Sequence, residues 1–362
     1  MLQQPRLGTY RLMGFSGLRV SPLALGTMTF GADWACGADE DECRRMFEAY
    51  VECGGNFIDT SNNYTNGSSE RLIGKFAAGR RSGLVIATKY TLPGNSRDPN
   101  SGGNHRKSMV CSVETSLQRL RTDYIDLLYL HAWDASTPVE EILRAMDDLV
   151  RAGKVLYVGI SNTVAWQVSR MQAIAFLRGW SPLIALQVQY NLVERTVERE
   201  LIPMARTMGL GVVSWGPLAG GLLSGKYSSA DLHANACDGP PEGSRRHMLV
   251  TAGALSARNF AISEVVKSIA AEAGRSASQI SLAWLLRNAG VTSVIMGART
   301  VRQLQDNMGA LEVSLAEEHL SRLQDASSID MGFPHSYLEW LMNSSHMSAP
   351  MSFERTSLTN VR

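Results

Sequence analysis

The chain has 362 residues, 44% hydrophobic and 19% charged, with a formal net charge of +1. That composition is ordinary for a globular protein, and the length suits either two domains of ~150 residues or one α/β barrel of ~250 or more. Near-neutral charge without a Lys/Arg run argues against nucleic acid as the main partner, and no stretch approaches the ~20 apolar residues that span a bilayer.

Residues 1–10 lack the apolar core of a signal peptide. Cys36, Cys43, Cys53, Cys111 and Cys237 form no CxxC pair, so free thiols in a reducing, cytoplasmic compartment are expected, with no metal site. Residues 10–20 read as a β-hairpin, followed by a first apolar run, Leu23-Ala24-Leu25-Gly26. Asp39 with Glu42 three residues on predicts a capping box and a helix that buries Met46, Ala49, Tyr50 and Cys53. The run Phe57-Ile58-Asp59 leads through a polar loop to a helix carrying Leu72, Ile73 and Phe76. Residues 84–87 form a third run that ends at Lys89, before a helix with Met109, Val113, Leu117 and Leu120.

Residues 125–130 end at His131, and Thr137, Pro138 at the first helical position and Glu140 then start a helix that Gly153 closes. Residues 155–160 end at Ser161-Asn162, before a helix through Val168, Met171, Ile174 and Ala175. Residues 183–188 carry Gln187 and precede a helix around 197–208, and Gly211-Val212-Val213-Ser214 ends at Trp215. A long Gly- and Ser-rich loop over 216–258 separates this run from helices over 262–273 and 278–287 and from a last run, Val294-Ile295-Met296, ending at Gly297. Beyond residue 326 periodicity fades, which predicts loop or disorder.

Eight apolar runs alternating with helices of crossover length imply parallel strands covered on both faces. An open doubly wound sheet and a closed (β/α)8 TIM barrel both satisfy that pattern. The barrel is favoured because polar, reactive residues end most of the runs, and a barrel gathers strand ends at one mouth. The expectation is a single domain over 1–362, with a core over 10–326, an N-terminal hairpin, a long loop after the seventh strand and a tail over 327–362.

Asp59, Lys89 and His131 end three consecutive runs, and Tyr64 lies in the loop after the first of them. A phenol ordinarily titrates near ~10 and is a sluggish acid at neutral pH, but a neighbouring ammonium favours the phenolate and lowers that value. Lys89 can supply the charge if Asp59 holds it, and His131 can donate a hydrogen bond or act as an acid when charged. Each residue alone has an ordinary structural reading; together they suit protonation of a carbonyl oxygen while a cofactor delivers hydride to its carbon.

No dinucleotide fingerprint of the Rossmann type is present, because Gly209-Leu210-Gly211 precedes a strand. The segment Gly220 to Gly225-Lys226 approaches a P-loop, but Tyr227 stands where a magnesium-binding Ser or Thr belongs, which excludes ATP. Its glycines still let backbone N–H groups approach a diphosphate. Gly297-Ala298-Arg299-Thr300 opens a helix whose N-terminus attracts phosphate, and Arg299 can bind the 2′-phosphate that distinguishes NADPH from NADH. Thr300 and Gln303 equally fit a capping box.

Between residues 10 and 326 the chain resembles the aldo-keto reductase family, in the branch of aryl-alcohol dehydrogenases and potassium-channel β subunits. The resemblance rests on Gly55-Asn56-Phe57-Ile58-Asp59-Thr60-Ser61, Tyr64, Ser69-Glu70-Arg71-Leu72-Ile73-Gly74, Ala87-Thr88-Lys89 and Leu127-Leu128-Tyr129-Leu130-His131. It continues through Gly159-Ile160-Ser161-Asn162, Gln187-Val188-Gln189-Tyr190-Asn191, Trp215-Gly216-Pro217-Leu218, Gly225-Lys226 and Gly297-Ala298-Arg299 with Gln303 and Asn307. It implies an NADPH-dependent reduction of an aldehyde, ketone or keto-sugar, with Tyr64 as general acid, Lys89 and Asp59 tuning it, and His131 orienting the substrate.

For the cofactor the resemblance implies Thr27, Met28, Asp59, Ser161, Asn162 and Gln187 near the nicotinamide, Trp215 as a wall, and the loop Gly216, Pro217, Leu218, Gly220, Lys226 over the pyrophosphate. Gly297, Arg299, Gln303, Asp306 and Asn307 are implied at the adenosine, with Arg245 as a second phosphate partner. Gly216 departs from a frequent Ser, which removes one hydroxyl contact. Phe30, Trp34, Tyr90 and Trp133, with Phe333 and Tyr337 of the tail, are candidate walls of a substrate pocket. A channel-regulating cofactor-binding protein and an unrelated barrel isomerase or lyase are the alternatives.

Overall fold

Two short strands, β1 (Arg11–Leu12) and β2 (Arg19–Val20), pair antiparallel in the computed structural model, which describes residues 7–34, 37–93, 97–227 and 254–343. Eight further strands follow: β3 (Leu23–Gly26), β4 (Phe57–Asp59), β5 (Val85–Tyr90), β6 (Ile125–Leu130), β7 (Val155–Ser161), β8 (Leu183–Gln189), β9 (Gly211–Trp215) and β10 (Val291–Gly297). Every neighbouring pair is parallel, and β10 returns to pair with β3, so the sheet closes into a (β/α)8 TIM barrel.

Strand alternation divides the side chains into two apolar layers. Leu25, Ile58, Ile86, Leu128, Ile160 and Met296 point outward into the layer shared with the helices. Ala24, Phe57, Ala87, Leu127, Tyr129 and Val213 fill the interior. Gly159 is required inside: a Cβ there would stand 2.6 Å from Cε1 of Tyr129, so the small residue makes room for that ring.

The helices on the outside are α1 (Glu40–Glu52), α2 (Ser68–Phe76), α3 (Arg106–Leu120), α4 (Val139–Arg151), α5 (Ala165–Arg178), α6 (Leu201–Met208), α7 (Ala257–Ala273), α8 (Ala277–Arg287), α9 (Val301–Met308) and α10 (Glu317–Ser327). None of the described helices is long and apolar enough to cross a membrane.

Several local expectations change. Asp39 caps α1 by accepting from the Glu42 N–H at 2.8 Å, but the Glu42 carboxylate turns away and accepts from the Val301 N–H at 2.6 Å, so the reciprocal half of the capping box is absent. Pro138 is the extended N-cap of α4 rather than its first residue, because Asp134 gathers the N–H groups of Ser136 and Thr137 at 2.6 and 3.0 Å and keeps the chain unwound. The segment around 197–208 splits into a 3-10 turn, Thr196–Glu198, and α6. Ser256 caps α7 by accepting from the Asn259 N–H, so that helix starts ahead of its expected bounds.

The chain divides into two compact units, residues 1–327 and 328–362. In the second, where loop or disorder was expected, His335–Asn343 forms a helix, α11, with the Tyr337 and Trp340 rings stacked at 5.8 Å.

Candidate active site

One inward-facing residue stands within two residues of the C-terminal end of each strand: Asp59, Lys89, His131, Ser161, Gln187 and Trp215, with Gly26 and Gly297 completing the ring. Tyr64 opens a 3-10 turn, Tyr64–Gly67, after β4. The barrel thereby brings Asp59, Tyr64, Lys89 and His131 together at one mouth.

Lys89 Nζ, fully buried, donates to Asp59 Oδ1 at 2.6 Å, to the Thr60 carbonyl at 2.8 Å and to the Tyr64 hydroxyl at 3.3 Å. Gln187 Nε2 donates to the other carboxylate oxygen, Asp59 Oδ2, at 2.7 Å. Burial alone would lower the Lys89 pKa, but Asp59 and Tyr64 outweigh it and hold the ammonium above its ordinary value. The Tyr64 phenol also sits above its ordinary value, since burial raises it more than Lys89 lowers it. This corrects the expectation of a lowered phenol: at rest Tyr64 keeps its proton, with the Lys89 ammonium beside its hydroxyl.

Burial, reinforced by Lys89, pushes the His131 imidazole down to about 3, so the ring is neutral at physiological pH. The imidazole can therefore take part in hydrogen bonds but carries no charge to act as an acid. Its Nδ1 meets Ser61 Oγ at 3.2 Å, and its backbone N–H donates to Thr91 Oγ1 at 3.2 Å. The Tyr64 ring stands edge-on to His131 at 6.0 Å and to Trp34 at 6.4 Å.

The loop that carries Tyr64 is pinned by residues whose role was not read in the sequence. Glu70, fully buried on α2, accepts from Thr88 Oγ1 at 2.7 Å and from Arg119 Nη1 at 3.1 Å. Arg119 also donates to the Asn62 carbonyl at 2.6 Å, two residues before Tyr64. Glu70 falls one helical turn before Ile73 on the buried face of α2, and a carboxylate at an apolar-face position was the available signal.

The remaining candidates for a cofactor site divide into two groups. Ser161 Oγ is fully buried with no hydrogen-bond partner among the described residues, so it is free to serve a ligand. Ala219, Gly220 and Gly221 all have positive φ, 46°, 66° and 101°, a left-handed turn in which the Ala219 and Gly221 N–H groups donate to the Gly216 and Leu218 carbonyls at 2.9 and 2.8 Å. Lys226 is exposed beside that turn, its ammonium 4.9 Å from the Tyr227 ring, and the Arg299 side chain is exposed at the head of α9. Pro217 is buried, Met28 and Leu218 are half-buried, and Gly297 is exposed at the end of β10. Gly216 has φ 65°, a region in which serine is strained, so the missing hydroxyl belongs to the local backbone course.

Others already have protein partners. Asn162 Nδ2 donates to the His131 carbonyl at 2.9 Å and its Oδ1 accepts from Trp215 Nε1 at 3.1 Å. Thr27 Oγ1 donates to the Asp59 carbonyl at 2.9 Å. Asp306 Oδ2 accepts from Ser276 Oγ at 2.8 Å, joining α9 to the cap of α8, and Asn307 Nδ2 donates to the Gly297 carbonyl at 3.3 Å. Thr300 Oγ1 accepts from the Gln303 N–H at 3.2 Å, while Gln303 Oε1 accepts from the Arg299 N–H at 2.9 Å, one residue short of a capping box. Arg245 lies outside the described residues.

The expected substrate walls separate in the same way. Tyr90 follows inward-facing Lys89 and so points outward, fully buried, its hydroxyl on the Asn104 carbonyl at 3.4 Å; Phe30 is likewise buried in the outer apolar layer. Both belong to the core and not to a pocket wall. Trp34 and Trp133 are half-buried at the mouth, and Phe333 and Tyr337 belong to the separate tail unit.

Comparison with known proteins places this geometry in context. A profile described as the aldo/keto reductase family matches residues 22–328. The chain is 36% identical over 367 residues to a norsolorinic acid reductase of Aspergillus flavus, covering 98% of this chain and 88% of that protein. It is 35% identical over 345 residues to a putative aryl-alcohol dehydrogenase of Saccharomyces cerevisiae, covering 92% and 90%. It is 40% identical over 328 residues to an uncharacterized oxidoreductase of Bacillus subtilis, covering 87% and 95%.

Proposed function

The chain belongs to the aldo/keto reductase family, and we propose that it is an NADPH-dependent reductase of carbonyl compounds in which Tyr64 is the general acid. The observation that carries this reading is the bond from Lys89 Nζ to the Tyr64 hydroxyl at 3.3 Å, with the same ammonium held by Asp59 at 2.6 Å. A phenol so placed keeps its proton at neutral pH and loses it to an oxygen that becomes strongly basic during reaction. The fixed ammonium then stabilises the phenolate that remains.

The residues at the mouth suit a nicotinamide dinucleotide. Ser161 supplies a buried hydroxyl without a partner among the described residues, Lys226 suits the diphosphate, and Arg299 suits a 2′-phosphate. When bound, NADPH supplies the hydride that reaches the carbonyl carbon. Asn162 and Gln187 act through the protein in this reading, Asn162 bridging His131 and Trp215 and Gln187 fixing Asp59. Trp34 beside Tyr64 favours aryl aldehydes and ketones over keto-sugars, in line with the names of the yeast and Aspergillus relatives.

The test is fluorescence titration with NADPH and NADH, followed by turnover of aryl aldehydes, ketones and keto-sugars. NADPH is expected to bind at least tenfold more tightly and to be oxidised fastest with an aryl carbonyl. Equal affinity for NADH defeats the role given to Arg299, and absence of turnover with every carbonyl class defeats the reductase reading.

A further inference from the structure

The neutral state of His131 raises a question that its position does not answer. A neutral imidazole carries one N–H, and the nitrogen that holds it is set by the hydrogen bond at the other. If Nδ1 holds the proton, Nε2 presents a lone pair to the oxygen of a carbonyl substrate, and the two repel. Only the Nε2–H form can support reduction.

Among the described residues Ser61 Oγ is the one side-chain partner of His131 Nδ1, at 3.2 Å, and it reaches across 70 residues of sequence to do so. The serine is fully buried, so its single proton goes to a protein group. Two other groups compete for it: the hydroxyl donates to Asn63 Oδ1 at 2.7 Å, and Asn62 Oδ1 accepts at 3.4 Å. Asn62 has its amide orientation set, with Nδ2 donating to the Leu92 carbonyl and to Ser112 Oγ, both at 3.4 Å. The Asn63 amide makes no other hydrogen bond among the described residues, and an amide presents its oxygen or its nitrogen to the same place after a flip of half a turn. With Asn63 Nδ2 donating to Ser61 Oγ, the hydroxyl is released to donate to His131 Nδ1.

We infer that Ser61 is a positioning residue that sets the tautomer of His131, its hydroxyl donating to Nδ1 with Asn63 donating to the serine oxygen, so that Nε2–H faces the substrate. The inference rests on the reductase reading for its purpose, but the tautomer itself is independent of turnover.

The experiment combines two-bond 1H–15N spectra of histidine-labelled protein with steady-state kinetics, the His131 signals being assigned through His131→Gln. The wild-type ring is expected in the Nε2–H form at neutral pH. Ser61→Ala is expected to lose that preference and about tenfold to a hundredfold in kcat, of the order seen when one oxyanion donor is lost, with NADPH affinity kept within twofold. Ser61→Thr, which retains the hydroxyl, is expected to restore the Nε2–H form and kcat to within about threefold of wild type. An Nδ1–H ring in the wild type, or a Ser61→Ala protein with unchanged tautomer and kcat, overturns the inference. A wild-type protein that reduces no carbonyl defeats the reductase reading instead, while the spectra still decide the role of Ser61.

Discussion

The two ends of the barrel are built from the same strands and spend their side chains differently. At the N-terminal end the hairpin β1–β2 closes the bottom with Met13 and Val20 fully buried. Arg11 donates there to the carbonyls of Leu286, Val291 and Thr292 at 3.2, 3.0 and 3.4 Å. At the C-terminal end stand a buried ion pair, a neutral imidazole and a buried hydroxyl without a partner among the described residues. Backbone strain follows the same division. Of the non-glycine residues with positive φ among the described residues, Thr65, Asn66, Thr91, Asn162 and Ala219 all lie at the mouth, while Arg121 closes a helix. Thr91 at φ 103° is the most extreme for a β-branched residue, and it receives the His131 N–H. One end is packed and hydrogen-bonded, and the other carries the strained backbone and the buried polar groups.

Lys89→Met is the change that most blurs this division. It leaves Asp59 buried without its cation, so a loss of about 3–5 kcal/mol of stability in urea denaturation is expected together with loss of reductase activity. If stability is unchanged, the mouth carries no structural charge and the division between the two ends is complete. Arg11→Met probes the opposite end. It leaves three carbonyls without their donor and is expected to cost about 1–3 kcal/mol in the same assay, with kcat and KM unaltered. A fall in kcat there shows that the two ends are coupled.

Arg299→Ala is expected to weaken NADPH binding about tenfold and to leave NADH binding unchanged, because only the 2′-phosphate is lost as a partner. Equal weakening of both places Arg299 on a feature that the two cofactors share. The last effect is in pH. The His131 pKa falls from 6.5 to about 3 on folding, so between those values the unfolded chain binds more protons than the folded one. The stabilising contribution is present above 6.5 and is lost as pH falls toward 3. His131→Gln is expected to flatten that part of the stability profile, and an unchanged slope assigns it to other groups.

Much of the architecture is legible in the sequence because strand ends are marked locally. The eight apolar runs, the hairpin and the placement of Asp59, Lys89 and His131 at strand ends follow from patterning that needs no knowledge of the fold. Tyr90 shows the limit: strand β5 extends one residue past Lys89, and alternation then sends the ring outward. Asn162, Asp306 and Glu42 were readable as polar residues in suitable places, but their partners come from distant segments, and hydrogen bonds across 31, 30 and 259 residues leave no local trace. The direction of the phenol shift was misread for a related reason. The attraction of Lys89 can be named from sequence, whereas the burial that outweighs it is a property of the closed mouth.

The central claim is that Tyr64 delivers the proton while Lys89 holds the charge left behind. Its most direct test is a single turnover of NADPH with an aryl aldehyde, comparing the wild-type protein with Tyr64→Phe. The account predicts that Tyr64→Phe binds NADPH within twofold of wild type and slows the hydride step by about 10²–10⁴-fold. A Tyr64→Phe protein that oxidises NADPH at the wild-type rate contradicts it and gives the proton to another group.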